Sequence, residues 1–442
     1  MNNKQFIRAT SKRSLLLFVS LYSLLCWLNQ VLFYDALSGD SIRYITLADQ
    51  YAAGNFKDPH TNCFGHPFYS FFLLITSRVF FYHPYFIGLI QSLLFAVSAV
   101  LLLRELEKYY QRPLGGLLIL IFLVPEFQIF NGYVLTEALG LSLVLLSYYL
   151  VLKICNDGIK TKKIFLLSFV LGSSVLNRLE SIVLLIPLLY FLFPFIKSQM
   201  SKYVLLLLSV PLVFVSLNSW RNYVIYNRFN PGSFNSGEVL YGGNNPRLDG
   251  SHHNFWMAPE VFFDEKQRQE LNEITTRSVC ESCPQRSDFL TAQAKEAWRN
   301  DALGQLRTVP LKLAKNWLLP GFFDIYTADL SGSRDLQLQK LFDKKSFNNK
   351  WYAPVKHGFY LVIHWCLLGL IFAGMFRMST ADGFRRSVLV LFFIFLLFAF
   401  PFCGLPRWHL LIFPLLLIAF CPPKVVSFLN GCYGFVVARL DK

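Results

Sequence analysis

Charged residues are scarce in this sequence. Asp, Glu, Lys and Arg make up only 16% of its 442 residues, whereas soluble domains carry about 25%. Hydrophobic residues account for 54% of the chain. These values exclude an ordinary soluble globular domain, and we expect most of the chain to lie in a lipid bilayer.

Acidic residues are scarcer than basic ones, with 27 Asp and Glu against 42 Lys and Arg, which gives a net charge of +15. Such an excess could indicate nucleic-acid binding. However, the basic residues gather in alternate polar segments between the apolar runs, which is the pattern that orients membrane proteins. We therefore expect membrane lipids as partners and no nucleic acid, with both termini in the cytoplasm.

Apolar runs long enough to cross a bilayer recur along the chain. They predict an all-α polytopic membrane protein with about ten transmembrane helices, because a spanning segment must satisfy its own backbone hydrogen bonds. The runs are Leu15–Phe33, Pro84–Leu103, Pro113–Phe130, Val134–Leu152, Ile164–Leu176, Ser181–Ile196, Tyr203–Leu217, His357–Phe376, Ser387–Cys403 and His409–Cys421. A further run, Pro67–Tyr82, contains Arg78, and an even number of crossings requires it to be re-entrant or interfacial.

The spans divide the chain into three parts. Residues 1–217 form an N-terminal transmembrane bundle with a first outer loop at 34–66, and residues 357–442 form the C-terminal helices. Between them, residues 218–356 are too many for a plain connection and predict a small extracytoplasmic region, partly helical and partly irregular. Within it we predict a helix that is capped by Ser287 and ended by Pro310.

The first outer loop contains the stretch "LSGDSIRYITLADQYAAGNF". Its apolar residues fall on one side of a helix, which predicts an amphipathic helix along the outer leaflet with Asp40 near its start and Gly54 as its stop. The residues on that side are Tyr44, Leu47, Ala48, Tyr51 and Ala52.

Ionisable residues stand at the outer ends of several predicted spans: Glu137, Arg178, Glu180 and Arg407. Each has an ordinary explanation, such as a helix cap, a structural ion pair or an arginine that reaches the headgroups, and Asp40 could be a simple N-cap. Together they lie on the side of Asp40. Because ionisable groups at membrane depth usually face a cavity, they predict a polar cavity at the outer end of the bundle.

A carboxylate beside arginines suits one reaction in particular, the transfer of a sugar from a polyprenyl phosphate. Cations would hold the leaving phosphate, and a carboxylate would accept the proton of the acceptor hydroxyl. Direct displacement would invert the anomeric carbon. A lipid carrier is expected because nucleotide sugars are not available outside the cytoplasm.

Six segments in order resemble the integral-membrane glycosyltransferases of the C-type fold (GT-C), especially the protein O-mannosyltransferase branch and the lipid A aminoarabinose transferases. They are "GDSIRYITLADQYAAGNF", "GHPFYSFFLLITSRVF", "NGYVLTEALGLSLVLL", "VLGSSVLNRLESIVLLIPLLYF", "WRNYVIYNRFNPGSFNSGEVLYGGNNPRLDG" and "GLPRWHLLIFPLLLIAF". The chain departs from the family at Leu179, where a proline is usual, and at Ser41, where many members carry a second acid.

The resemblance implies roles for individual residues. Asp40 matches the catalytic acid of the first loop, and the lone acid favours a single general base without a cofactor; a divalent metal is an alternative that the lone acid does not favour. Contacts to the donor phosphate are implied for Arg43, Arg178 and Arg407. The implied substrate-binding residues are His66, Glu137, Glu180, Tyr241, Asn244 and Asn245. His66 could also be an ordinary interfacial histidine, and the stretch "YGGNNPRLDG" could form a set of tight turns.

Four points stay open at the level of sequence: the activity, the acceptor, the pairing of the outer cysteines and the host membrane. One alternative to the glycosyltransferase is a transporter or flippase of a lipid-linked substrate, although the sequence lacks the internal repeats that are common in transporters. A polymerase or ligase of lipid-linked glycans is another alternative. The acceptor is a glycolipid, an envelope glycan or a protein. The outer cysteines are Cys63, Cys280 and Cys283, and we expect a local Cys280–Cys283 disulfide or none. The large loop lacks Asn-x-Ser/Thr, which favours a bacterial inner membrane.

Overall fold

The computed structural model describes residues 12–33, 39–57, 63, 66–80, 84–246, 262–318, 352–376, 382–397 and 410–440. About 87% of this part is helical and it contains no strand, so the prediction of an all-α protein is confirmed. The α-helices are α1 Lys12–Phe33, α2 Gly39–Ala52, α3 Pro67–Phe80, α4 Pro84–Tyr110, α5 Leu117–Leu123, α6 Pro125–Gly132, α7 Thr136–Asp157, α8 Thr161–Asn177, α9 Leu185–Ile196, α10 Met200–Tyr226, α11 Ser236–Gly243, α12 Glu265–Thr276, α13 Val279–Asn300, α14 Ala302–Leu318, α15 Tyr352–Met375, α16 Gly383–Leu397, α17 Phe413–Phe420 and α18 Pro423–Leu440.

Four helical segments in the described part are long and apolar enough to cross a membrane: Tyr85–Tyr110, Thr136–Asp157, Leu179–Tyr226 and Gly358–Met375. The pair Phe413–Phe420 and Pro423–Tyr433, bent by 98°, makes a fifth if it counts as one span. These segments support a membrane protein. The expected number of ten crossings stays a prediction.

The 48-residue segment Leu179–Tyr226 would extend about 70 Å as one straight helix, more than twice the hydrocarbon thickness. The packing of α8 against α10 shows why this segment is not one straight helix. Ser168 Oγ donates to the carbonyl of Leu207 at 2.8 Å, and a Cβ at Gly172 would lie 3.2 Å from Pro211 N. Contacts therefore advance in the same direction along both helices, so α8 and α10 are parallel. Helix α9, which lies between them in sequence, runs in the opposite direction.

The described part of the first outer loop contains the predicted amphipathic helix. Its helix α2 buries Tyr44, Leu47, Ala48 and Tyr51, although Ala52 is exposed. Gly54 follows the helix with φ +76°, a left-handed conformation that favours glycine. Helix α3 packs against α2, and its 14 residues span only about 21 Å, too short to cross the hydrocarbon.

The outer region, α11 to α14, has a small apolar core of its own: Tyr241, Phe262, Phe263, Leu271, Ile274, Phe289, Leu290 and Ala294. The predicted helix bounds here are wrong. Helix α13 begins at Val279, and Ser287 is an interior position of it. Pro310 lies inside α14, where it removes one backbone hydrogen bond without ending the helix.

Helix α14 joins the outer region to the membrane bundle. Its last turn carries Trp317, which packs edge-on against Phe392 of α16 with ring centroids 4.9 Å apart. Trp365 of α15 donates its Nε1 hydrogen to the carbonyl of Leu318 at 2.8 Å. The outer region is thus fixed to the bundle through the end of α14.

Candidate functional site

Arg178 lies between two carboxylates at the end of α8. Its Nη1 is 2.7 Å from Glu137 Oε1, and its Nε is 2.5 Å from Glu180 Oε1. The backbone of Arg178 is extended, at φ −152° and ψ 115°, and separates α8 from the short 3₁₀ helix Leu179–Leu184. This break in the helix turns the guanidinium towards both acids.

The start of α7 and the end of α8 are held together by small and polar residues. Asn177 Nδ2 donates to the carbonyl of Thr136 at 3.0 Å, and Thr136 Oγ1 donates to Glu137 Oε2 at 3.2 Å. A Cβ at Gly140 would lie 3.3 Å from Asn177 Nδ2 and 2.9 Å from Leu411. The lack of a side chain at Gly140 therefore allows the close approach that places Arg178 beside Glu137.

His66, which precedes α3, lies in the electric field of the same charges. Burial lowers the pKa of the His66 imidazole most, and the positive charge of Arg178 lowers this pKa further. Three carboxylates act on the ring in the opposite direction: Glu180, Glu137 and Asp40. The imidazole of His66 therefore lies within electrostatic range of Asp40 in the same loop, of Glu137 at the start of α7, and of Arg178 and Glu180 just after α8. We call these five residues the ion cluster.

The ion cluster is closed at one side and open at the other. The Glu137 side chain is 3% exposed and that of Arg178 is 11%, whereas Glu180 is 33% and Asp40 36% exposed. Arg43 extends the open side, with its Nη1 3.7 Å from Asp40 Oδ1. A polar ligand could therefore approach from the side of Glu180 and Asp40.

Arg407, also predicted to belong to the site, lies outside the described residues. Its role stays a prediction. The described chain resumes at Leu410, and the next residue, Leu411, is the one that faces Gly140 beside the ion cluster.

The structure places Tyr241, Asn244 and Asn245 within the outer region, where they make internal hydrogen bonds. Tyr241 Oη donates to the carbonyl of Phe262 at 2.9 Å. Asn244 Oδ1 accepts from Trp298 Nε1 at 3.0 Å and from the buried Lys312 Nζ at 2.8 Å. These contacts give the three residues a structural role, and their predicted contact with substrate stays a prediction.

A disulfide joins Cys63 to Cys283, with Cα atoms 6.2 Å apart, and Cys280 is not part of a disulfide. The expected local Cys280–Cys283 bond is therefore wrong. The bond ties the first outer loop to α13 of the outer region, and Phe234 N donates to the carbonyl of Cys63 beside it at 3.0 Å. The sequence placed all three cysteines outside the cytoplasm but could not fix their pairing.

A second buried ionic contact was not predicted. His364 Nδ1 of α15 lies 2.5 Å from Glu126 Oε1 of α6, and both side chains are only 2% exposed. His364 Nε2 is 2.8 Å from the carbonyl of Trp317, and the imidazole stacks on Phe413 with centroids 5.4 Å apart. The signals in the sequence were a lone histidine in an apolar run and an acid directly after Pro125.

Within the described ranges, no group of three or more His, Cys, Asp or Glu side chains is arranged to hold a metal ion. No protein-family model, curated protein or solved structure matches the chain. The fold and the ion cluster together define an all-α membrane protein with a partly open ionic site at one end of α7 and α8.

Proposed function

We propose that this chain is an inverting glycosyltransferase of the GT-C type. It would move a sugar from a polyprenyl-phosphate donor to a glycolipid, an envelope glycan or a protein on the extracytoplasmic face. The ion cluster is the observation that carries the proposal, because it combines carboxylates, an imidazole and an arginine in one partly open site of a membrane protein.

In this mechanism Asp40 accepts the proton of the acceptor hydroxyl as the oxygen attacks the anomeric carbon. Its partial exposure gives an acceptor access to the carboxylate. His66 is neutral near pH 7 because burial and Arg178 lower its pKa. A neutral imidazole can hydrogen-bond to substrate without adding a positive charge that would weaken Asp40 as a base.

The leaving phosphate is held by arginines. Arg178 is anchored on its closed side by Glu137, and its other carboxylate partner, Glu180, is the more exposed one. The donor phosphate approaches Arg178 from the side of Glu180, and Arg43 and Arg407 supply further positive charge. Charge-assisted contacts of this kind stabilise the negative charge that develops on the leaving group.

The Cys63–Cys283 disulfide supports an extracytoplasmic position for the first outer loop and α13, because such bonds persist in oxidising compartments. The proposed topology has ten crossings with both termini in the cytoplasm of a bacterium. A lipid-linked donor fits this side of the membrane.

The test is a transfer assay with the purified full chain, a panel of polyprenyl-phosphate sugars and membrane vesicles as the source of acceptor. Wild-type protein is expected to release polyprenyl phosphate, and Asp40→Asn to lower the rate by roughly 10²–10⁴-fold. Asp49→Asn is the matched control, because Asp49 is an exposed acid on the same helix. Near wild-type transfer by a folded Asp40→Asn protein would refute the assignment of the base.

The Glu126–His364 contact favours a second candidate, a transporter of a lipid-linked substrate, because ionisable pairs inside a bundle often mark ion or substrate paths. Proteoliposomes separate the two. A transporter would move the lipid-linked sugar across the bilayer without cleaving it and would lose this activity on Glu126→Gln. The glycosyltransferase would cleave the donor and require Asp40.

A further inference from the structure

Helix α14 of the outer region buries its polar side and exposes its apolar side. Its buried polar residues recur every three or four positions, which places them on one face of the helix, and none is more than 3% exposed: Gln305, Thr308, Lys312 and Asn316. The opposite face is apolar and exposed, with its leucines between 43% and 61% exposed. We call this opposite face the apolar face of α14, and it consists of Leu303, Leu306, Pro310, Leu311 and Leu318.

Helix α12 of the same region has the usual arrangement. It buries Leu271 and Ile274 and exposes acids such as Glu270 and Glu273. A helix on the surface of a protein in water turns its apolar stripe to the core in this way, because burial removes apolar surface from water. The reversed arrangement of α14 therefore indicates that its apolar face lies against something other than water.

The polar side of α14 has its partners inside the protein. Lys312 Nζ donates to Asn244 Oδ1 at 2.8 Å, and Gln305 Nε2 donates to the carbonyl of Asn245 at 3.2 Å. A rotation of α14 about its axis to bury the leucines would break these bonds and strand buried polar groups, which is costly. The hydrogen bonds thus fix the helix with its apolar face outward.

The apolar face ends beside a candidate membrane span. Trp365, which donates its Nε1 hydrogen to the carbonyl of Leu318, stands about two helical turns inside the span Gly358–Met375 of α15. The side of α15 that carries Trp365 is also apolar, and Phe359, Val362 and Trp365 are between 52% and 61% exposed. The apolar face of α14 therefore joins the exposed apolar surface of a helix that is suited to cross the bilayer.

We propose that the apolar face of α14 lies against lipid acyl chains, so that α14 is a membrane-seated helix that anchors the outer region in the bilayer. Lipid is the occupant because the exposed apolar surface of a span is covered by acyl chains, and the apolar face continues that surface. Arg307 is exposed beside Leu306 and Pro310, and its long side chain can carry the guanidinium to the headgroups. This anchoring does not depend on the proposed sugar transfer.

Photo-crosslinking of the wild-type full chain tests the contact with lipid. The chain is placed in nanodiscs, one copy in each, made of phosphatidylcholine with a diazirine in its acyl chain, and adducts are mapped by proteolysis and mass spectrometry. Adducts are expected on residues 303–318 and on the span Gly358–Met375, which is the positive control, but not on α12. Because each nanodisc holds a single copy, a second chain cannot shield α14. Adducts on the span without any on α14 would overturn the proposal.

Two cysteine variants provide a matched comparison of access to water. Leu306→Cys and Glu273→Cys each place a thiol at an exposed position of the outer region. A water-soluble maleimide is added to the same nanodiscs, and labelling is followed peptide by peptide so that the native cysteines do not interfere. Position 306 is expected to react about tenfold more slowly than position 273, because a thiol among acyl chains rarely ionises and seldom meets the reagent. Both positions should react alike in denaturant. Equal rates in the nanodiscs would show that water covers the apolar face and would refute the anchoring.

Discussion

The ion cluster and the Glu126–His364 pair, both in the described part of the chain, differ in how completely their surroundings enclose them. The ion cluster is partly open, since Glu180 is one-third exposed and the cluster faces the first outer loop. The Glu126–His364 pair is enclosed on all sides that the structure describes, between Trp317 and Phe413, with both members 2% exposed.

The difference indicates different roles. A closed pair of charges has no room for a substrate, and its hydrogen bond to the last turn of α14 connects the outer region to the bundle. An open cluster can exchange one of its partners for a ligand. Burial of charged groups is therefore not enough to indicate a ligand site, which also needs an open side.

The largest expected effect comes from breaking the closed pair. His364→Leu leaves the Glu126 carboxylate buried without its imidazole partner, and breaking a buried pair typically costs about 3–5 kcal/mol of unfolding free energy. The same measurement on Glu180→Gln should give no more than about 1 kcal/mol, because that side chain is one-third exposed and Glu137 still holds Arg178. Thermal unfolding in detergent micelles measures both.

The double variant Glu126→Leu with His364→Leu supplies the control. It replaces both charges by apolar groups and should recover most of the lost stability, as apolar replacements of buried ion pairs often do. Equal stabilities for His364→Leu and Glu180→Gln would abolish the distinction between a closed and an open group.

The next effect comes from the link between the first outer loop and α13. Cys63→Ser removes the disulfide and should cost about 2–4 kcal/mol, because the bond closes a loop of more than two hundred residues. Transfer activity should fall with it, since the segment between Asp40 and His66 loses its anchor. Cys280→Ser is the control and should change neither property.

The pairing itself is directly observable. Proteolysis without reduction, followed by mass spectrometry, should yield a peptide pair that links Cys63 to Cys283. A Cys280–Cys283 bond in the native protein would contradict the structure.

Much of the fold could be predicted because lipid imposes simple rules on sequence. The composition and the apolar runs predicted an all-α membrane protein, and the buried face of α2 followed from helical periodicity at Tyr44, Leu47 and Tyr51. Helix ends in the outer region were predicted poorly. A serine and a proline there are compatible with helix interiors when tertiary packing supplies the stability, as Ser287 and Pro310 demonstrate.

The candidate site could be predicted only in part, for a physical reason. Ionisable residues stand out in apolar sequence, so Glu137, Arg178 and Glu180 were identifiable individually, and their position at span ends indicated a shared side. Contacts over long sequence separations carry no local signal. The Cys63–Cys283 disulfide depends on how the outer region docks against the first outer loop, and the Glu238–Arg286 ion pair depends on how α11 packs against α13; periodicity encodes neither.

A smaller effect is expected at the contact between α11 and α13. Gly237→Ala places a Cβ against the backbone of Ser287 and forces the helices apart, which should cost about 1–3 kcal/mol. Gly369→Ala is the matched control, because a Cβ there meets no atom within 4 Å. Equal stabilities of the two variants would show that α11 can shift away from α13 without lowering the free energy of unfolding.

The smallest effect concerns His66 and tests whether the ion cluster titrates. Burial and Arg178 lower the pKa of His66 from its ordinary value of 6.5, so the folded protein binds its proton less readily than the unfolded chain. Above pH 6.5 the imidazole is neutral in both states and does not affect stability. As the pH falls below that value, the unfolded chain gains a proton first and the folded state loses stability.

The melting temperature of the wild type should therefore decline more between about pH 7 and about pH 5 than that of His66→Gln, in which this group cannot titrate. Parallel melting profiles for the two proteins would mean that folding does not lower the pKa of His66.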